Sequence, residues 1–348
     1  MSDIKKILER SEAILLGDAV QSRQRRFDKY AISNFRGGVG KSTLAFNLAY
    51  ELSRNYRTLV IDTCPQRNLT KNLLGDDLFG MSPTIYDALV NGIAAEDSFL
   101  SDELAVSVVP HCQSFKGGKP TYLVPSSTEL FLFPSLIYGK LAQFAQFGET
   151  QRKRASQTLL KALDKIVNQV SAFARPEKTL IDTSPFFGGA THLAWEAADA
   201  LIIPVRVDQH SVEALRLTLD MLTKSTMDFH RFNRQAGFEH QPLVHAIVMT
   251  HCGWIRQKAN TPDSSTKFFV KAALEIAEKY KEVFSEEPSD CFYLLDDFHS
   301  SGRISWQKHI PLAELKAGSK FLIDGQRFEV NPSVDRYQRE MENLTDDL

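Results

Sequence analysis

One short segment constrains this chain more than any other: Phe35-Arg36-Gly37-Gly38-Val39-Gly40-Lys41-Ser42-Thr43. It follows the apolar run Tyr30-Ala31-Ile32-Ser33-Asn34 and opens a helical pattern over 44–52. Strand, glycine-rich turn and helix, in that order, build a cradle for an anion. Glycines let backbone N–H groups converge without Cβ obstruction, and the helix start adds unpaired donors and partial positive charge. The Lys41 side chain can reach the outer phosphates of a nucleotide, the Ser42 hydroxyl can ligate Mg2+, and Thr43 falls on the α-phosphate side.

The rest of the chain sets bounds on that reading. Its 348 residues are 43% hydrophobic and 24% charged, within the range of a globular protein with a full core. A formal net charge of −2 gives no overall pull toward nucleic acid, so any such contact needs a local patch. Cys64, Cys112, Cys252 and Cys291 lie far apart with no C-x-x-C pair. That spacing argues against a zinc site or a disulfide framework and for a reducing, cytoplasmic setting. The segment from Met1 to Lys6 has no signal-peptide core, and no apolar run is long enough to span a bilayer, so no integral membrane association is expected.

From Lys29 onward the pattern alternates strand and helix, which predicts a doubly wound, mostly parallel α/β sheet covered on both faces. Strands are expected at 29–34, 57–62, 105–109, 120–124, 178–182, 200–205, 243–249 and 291–295. Helices are expected at 42–54, 84–91, 150–173, 190–197, 211–227 and 265–284. Ile4, Ile7, Leu8, Leu15 and Leu16 predict an amphipathic N-terminal helix docked on the domain's own surface. With the basic run Arg23-Gln24-Arg25-Arg26, read as a solvated linker, it forms a segment 1–27 ahead of a domain 28–348. The Phe- and Leu-rich stretch 126–150 reads as core helices, most of the histidines as surface or capping residues, and the acidic tail from Glu340 as frayed.

Carboxylates stand where a nucleotide site needs them. Thr179-Leu180-Ile181-Asp182 and Leu59-Val60-Ile61-Asp62 are apolar runs that each end in an aspartate and a turn. Strand ends of this kind face the ligand crevice of open α/β sheets. Asp182 can hold Mg2+ through water, and Asp62 can serve the metal and water shell.

These segments resemble the ParA/MinD/Soj family of ATPases. A standard P-loop begins with a glycine where Phe35 stands; the segment here is similar to the family's deviant Walker A box, with Arg36 in place of the signature lysine. Asp62-Thr63-Cys64-Pro65-Gln66-Arg67-Asn68-Leu69-Thr70 is similar to the family's Asp-x-Asp-Pro-Gln-Gly-Asn-Leu-Thr switch. Cys64 replaces its second, water-positioning aspartate, and Arg67 replaces its glycine. Asp182-Thr183-Ser184-Pro185 resembles Asp-Thr-Pro-Pro, with Phe186-Phe187-Gly188-Gly189 as a second switch loop. Ala198 to Asp208 looks like a family strand; Asp208 sits near the dimer face or caps the next helix.

The resemblance implies a P-loop NTPase fold and an ATP-binding switch with Mg2+, held by Gly37, Gly38, Val39, Gly40, Lys41, Ser42 and Thr43. Lys41, Arg36 and Asp62 would be its catalytic residues. Ser42, Asp62 and Asp182 would be its metal residues, and Thr250 would lie near the adenine. It implies a homodimer closed by ATP, with Arg36 reaching the other subunit's nucleotide or clamping phosphate. Cys64 predicts hydrolysis that is slow or waits on an ATPase-stimulating partner protein. The implied output is partition of DNA or positioning of another cargo. Non-specific DNA contact could come from Arg303, Lys308, Arg327, Arg336 and Arg339, which intervening acids make a mixed solvated surface. The stretch Ser300 to Ser305 lacks the family's Ile-Pro-Arg start, so no base contact is expected there. A nucleotide-bound regulatory scaffold and a P-loop small-molecule kinase or synthetase are the alternatives.

Overall fold

The computed structural model describes the chain except for residues 1–2, 19–22, 24, 76–81, 95–100 and 256–260. Eight strands form one sheet: β1 (Lys29–Ile32), β2 (Thr58–Asp62), β3 (Val106–Ser107), β4 (Thr121–Val124), β5 (Lys178–Asp182), β6 (Ala200–Arg206), β7 (Leu243–Cys252) and β8 (Phe292–Asp296). Their spatial order is β3-β4-β2-β5-β1-β6-β7-β8. Neighbours run parallel except at one edge, where β3 pairs antiparallel with β4. Each strand expected from the sequence is present. The runs were legible because alternate residues serve two apolar cores: Ala31, Ile61, Ile181 and Leu201 face one, and Tyr30, Ile32, Val60 and Leu180 the other.

In chain order the helices begin with α1 (Asp3–Leu16), α2 (Lys41–Ser53), α3 (Asn68–Leu74), α4 (Ile85–Ala94) and α5 (Ser101–Leu104). They continue with α6 (Phe133–Phe144), α7 (Glu149–Leu160), α8 (Ala162–Ala174), α9 (Ala190–Ala197) and α10 (Gln209–Thr223). The last are α11 (Asp228–Ala236), α12 (Ser264–Ala277), α13 (His299–Lys308) and α14 (Val334–Asp346), with a hairpin, β9 (Lys320–Ile323) and β10 (Gln326–Glu329), between the final two. One core joins the sheet to α1 and to α4 through α12; the other joins it to α2, α3 and α14. A smaller cluster of Ile304, Leu312, Ile323, Val330, Val334 and Tyr337 binds α13, the hairpin and α14 together.

The N-terminal helix docks on the domain. Ile7 and Leu15 are buried, Arg10 donates to the backbone carbonyls of Asp290 and Phe292, and Arg339 donates to the Leu15 carbonyl at 2.6 Å. Arg23, read as part of a solvated linker, is instead buried, and its amide donates to Asp347 Oδ1 at 2.8 Å. Gln24 of that run lies outside the described residues. In the 126–150 stretch, Leu130, Phe133, Ile137 and Leu141 are core, whereas Phe131 and Leu132 are exposed.

Two further expectations are corrected. The helix read over 150–173 is two, because Lys161 leaves helical geometry (φ −89°, ψ 5°) where its side chain crosses the Phe238 ring. The tail is not frayed: Val334, Tyr337, Met341, Leu344 and Leu348 recur at three- and four-residue spacing and are buried. Two histidines are core residues. His192 sits 3.0 Å from Asn233 Oδ1 and His245 lies 2.9 Å from the Asp347 carbonyl. Burial pushes them down to about 4 and about 3, so both stay neutral.

Because Leu344 is fully buried, Leu344→Ala should lower unfolding free energy by about 2–5 kcal/mol in a urea titration. The exposed Leu322→Ala should change it by less than about 0.5 kcal/mol. Equal, small effects would show that the C-terminal helix is not part of the core.

Candidate functional site

The turn after β1 has the backbone an anion cradle needs. Gly40 (φ 90°) precedes the first turn of α2, and Gly38 (φ 75°) also lies in the left-handed region, where a side chain is strained. The first α2 backbone bond runs from the Leu44 amide to the Gly40 carbonyl at 2.8 Å, leaving the amides of Lys41, Ser42 and Thr43 at the open helix start. Lys41 is buried, its ammonium donating to the carbonyls of Asn34 (3.1 Å) and Arg36 (2.8 Å); burial lowers its proton affinity while Asp182 opposes that shift. Phe35 stacks on Trp195, with ring centroids 5.7 Å apart, and meets Phe187 edge-on at 5.9 Å. A bulky ring therefore anchors the start of the turn to the core.

Asp62 and Asp182 end adjacent parallel strands at the same register. Burial pushes both carboxyls up, and for Asp182 the Asp62 charge adds to it. Their remaining bonds differ. Asp62 accepts from the Cys64 amide (2.9 Å), the Thr70 amide (2.9 Å) and the Thr70 hydroxyl (2.7 Å), so it is spent on shaping the following loop. Asp182 accepts from the Ser42 hydroxyl at 2.7 Å through Oδ2, while its buried Oδ1 has no partner among the described residues. A buried oxygen pair with spare lone pairs beside an anion cradle fits a hard dication such as Mg2+, which takes few protein ligands and completes its shell with phosphate and water.

The loop between β2 and α3 carries two of the departures from the family pattern, Cys64 and Arg67. Cys64 is buried, and burial, then the nearby Asp62 and Asp182 charges, push its thiol up to about 12. It is a neutral group and a weak acceptor. Arg67 adopts φ 58°, ψ 23°, the conformation a glycine takes freely; for an arginine it costs roughly 1–2 kcal/mol. The second loop is pinned rather than loose. Phe187 packs on Trp195 and His192, and a Cβ on Gly189 would come within 3.0 Å of the Pro134 backbone.

Two cavities flank the turn and share Gly40 and Thr43. One, of about 230 Å3, is lined by Gly37, Gly38, Lys41, Ser42, Cys64, Gln66, Asn68 and Trp306. The other, of about 210 Å3, is lined by Thr250, His251, Asp296, Phe298, Gly302 and Arg303. Thr250 also donates to the Val39 carbonyl at 3.1 Å, tying β7 to the turn. The 300–305 stretch, from which no contact was expected, therefore forms part of the second cavity. Trp306 was missed, and Arg303 was read only as a DNA contact; their three-residue spacing on the helix following β8 was the available signal.

Arg36 does not point away from its own subunit. It pairs with Asp208 and donates to the Ser211 hydroxyl at 2.8 Å, while Asp208 caps α10 by accepting from the Ser211 amide at 2.9 Å. The C-terminal basic residues are largely engaged as well. Arg336 meets Asp296 at 3.1 Å and lies over the Trp254 ring, and Arg303 lies over Phe328.

Residues 28–231 match the family model described as an AAA domain. The chromosome partitioning protein ParA of Myxococcus xanthus is 30% identical over 186 residues, 53% of this chain and 54% of that protein. The sporulation initiation inhibitor protein Soj of Bacillus subtilis is 27% identical over 191 residues, 55% of this chain and 62% of that protein. The matches thus span less than two thirds of either relative. In fold, the ATP complex of a McdA variant from Cyanothece superposes with a TM-score of 0.63 at 18% identity, covering 91% of this chain and 95% of that one. Apo McdA gives 0.61 at 19% identity, covering 92% and 100%.

Asp182→Asn removes an incompletely paired buried charge while keeping its shape. In metal-free protein at pH 8 it should raise the thermal midpoint, read by circular dichroism. A lower midpoint would mean that the carboxylate is already well compensated.

Proposed function

The chain belongs to the ParA-like P-loop ATPases, and from that premise we propose that it is an ATP-dependent switch that dimerises when loaded and hydrolyses slowly. The observation that carries this reading is the pair of cavities meeting at Gly40 and Thr43. A glycine-rich turn with one open side lined by Lys41 and another lined by Thr250 and Arg303 offers a phosphate end and a base end. The turn's amides and Lys41 would hold the β- and γ-phosphates, with Thr43 on the α-phosphate side. Ser42 and Asp182 would hold Mg2+, whose chemistry is to neutralise charge on the phosphate oxygens; Asp62 would keep the loop beside it in shape. Arg36 would act on phosphate, in its own subunit or across a homodimer, after exchanging Asp208 for the anion.

Slow turnover is inferred from Cys64, a poor acceptor where the family has a carboxylate. A stimulating partner protein would act by supplying or repositioning what is missing. A scaffold that binds ATP and barely hydrolyses it is the second reading, and the same cysteine supports it. The output we infer is partition of DNA or positioning of another cargo. Exposed basic residues also lie on two helices that pack together, Lys153 and Arg154 on α7 and Arg231 and Arg234 on α11, where Arg231 pairs with Asp228 and Arg234 donates to the Ser225 carbonyl.

Calorimetry with ATP and Mg2+ should give saturable heat for the wild type and none for Lys41→Ala. Loss of heat in neither, or absence of heat in both, removes the reading. Cys64→Asp should raise phosphate release by about 10²-fold, the low end for a positioned acid–base group; a brisk wild-type rate would end the scaffold alternative. ATP-dependent DNA retention should weaken between 50 and 200 mM salt and weaken further in Lys153→Glu/Arg154→Glu, as counterion release requires at about those concentrations.

A further inference from the structure

Within the ATP-switch reading, the group that positions the attacking water has lost its usual residue. Cys64 is buried, and its backbone is fully used: the amide donates to Asp62 and the carbonyl accepts from the Ser126 hydroxyl at 2.7 Å. Asp62 is a poor substitute, because it is fully buried and its two oxygens already take three hydrogen bonds from the chain that follows it. Gln66 stands two residues further along the same loop. It is exposed, lines the cavity that holds Lys41 and Ser42, and its side-chain amide has no partner among the described residues. A carboxamide offers an acceptor and two donors at once, which suits it to hold a water by one lone pair while hydrogen-bonding a phosphate oxygen. Trp306 forms part of the wall of the same cavity and limits the bulk water that competes for that place.

We propose that Gln66 orients the hydrolytic water in this chain, in place of the carboxylate that Cys64 replaces. The water oxygen bonds to the γ-phosphorus as the bond from that phosphorus to the β–γ bridging oxygen breaks. ADP leaves with that electron pair. The water's proton passes to an oxygen of the departing phosphate and then to solvent. Gln66 orients and takes no proton, so the step it assists is slow without a base, in keeping with the neutral cysteine beside it. Asn68, the other carboxamide in this cavity, opens α3 and has a shorter side chain.

Three measurements on the full chain decide the matter. Gln66→Leu should lower single-turnover phosphate release by about ten-fold or more while leaving the affinity for a non-hydrolysable ATP analogue within about two-fold. It should also weaken binding of ADP with aluminium fluoride, a mimic of the transferring phosphoryl group, which reads the transition state without turnover. Cys64→Asp placed in the Gln66→Leu background should restore phosphate release, because a carboxylate can then hold the water. Unchanged release and unchanged fluoride-complex affinity in Gln66→Leu overturn the assignment, as does a larger loss in Asn68→Ala. If the wild type binds neither nucleotide, the ATP-switch reading falls with it; if it binds both and Gln66→Leu behaves as wild type, only the role of Gln66 falls.

Discussion

The site is organised around two carboxylates held side by side in a place without water. Parallel pairing of β2 with β5 puts Asp62 and Asp182 at one level, and the flanking cores seal them from solvent. Such a pair would repel and lose hydration unless each found compensation. Asp62 finds it in the three donors of the loop that follows. Asp182 finds it partly in Ser42, the second residue of α2. That single hydroxyl couples the end of β5 to the start of the anion-cradling helix, so the geometry of the cradle depends on the charge beneath it. Burial of the carboxylates and openness of the cradle are one arrangement.

How much of this could be read from the chain follows from what each residue type can hide. Strands in a sheet covered on both faces appear as uninterrupted apolar runs, and Leu59-Val60-Ile61 or Leu201-Ile202-Ile203 have no other comfortable place. Glycines with positive φ and a lysine at a helix start are equally explicit. The failures share a cause. Helix α14 carries many charged residues, and these concealed an apolar stripe of regular spacing. Arg23, His192 and His245 are polar residues whose partners lie far along the chain, and local sequence carries no sign of Asp347 or Asn233. Long-range compensation of polar groups is what a sequence read in windows cannot show.

The departures from the family pattern tell a consistent physical story. Arg67 sits where a glycine would be free, in a backbone conformation that resists it. Nevertheless the loop keeps its course, because Asp62 bonds on both sides of that residue, to the amides of Cys64 and Thr70. The loop's shape is therefore held by the carboxylate rather than by backbone permissiveness. This explains how residues 64 and 67 could change while the cavity wall formed by Cys64, Gln66 and Asn68 stayed in place. Arg36 shows the same tolerance: through a single nitrogen, Nη1, its guanidinium meets both Asp208 and the Ser211 hydroxyl.

The division of labour along the chain has a further consequence. The matched family segment, residues 28–231, contains the glycine-rich turn, the loops after β2 and β5 and both carboxylates; of the residues that line the cavity with Lys41, Trp306 alone lies beyond it. Thr250, Asp296, Phe298, Gly302 and Arg303, on the opposite side, all come later. Those late residues are held by contacts among late elements. Ile304 roots α13 in the cluster with the hairpin and α14, and Arg336 of α14 reaches Asp296. Through Arg339 the same helix holds the end of α1, and α1 in turn is anchored on the first residues of β8. Contacts of α14 thus connect α1 to the edge of the cavity that Thr250 and Arg303 line, by a route separate from the glycine-rich turn. The far wall of that cavity is therefore built by elements that lie outside the matched family segment, whereas the glycine-rich turn and both carboxylates lie within it.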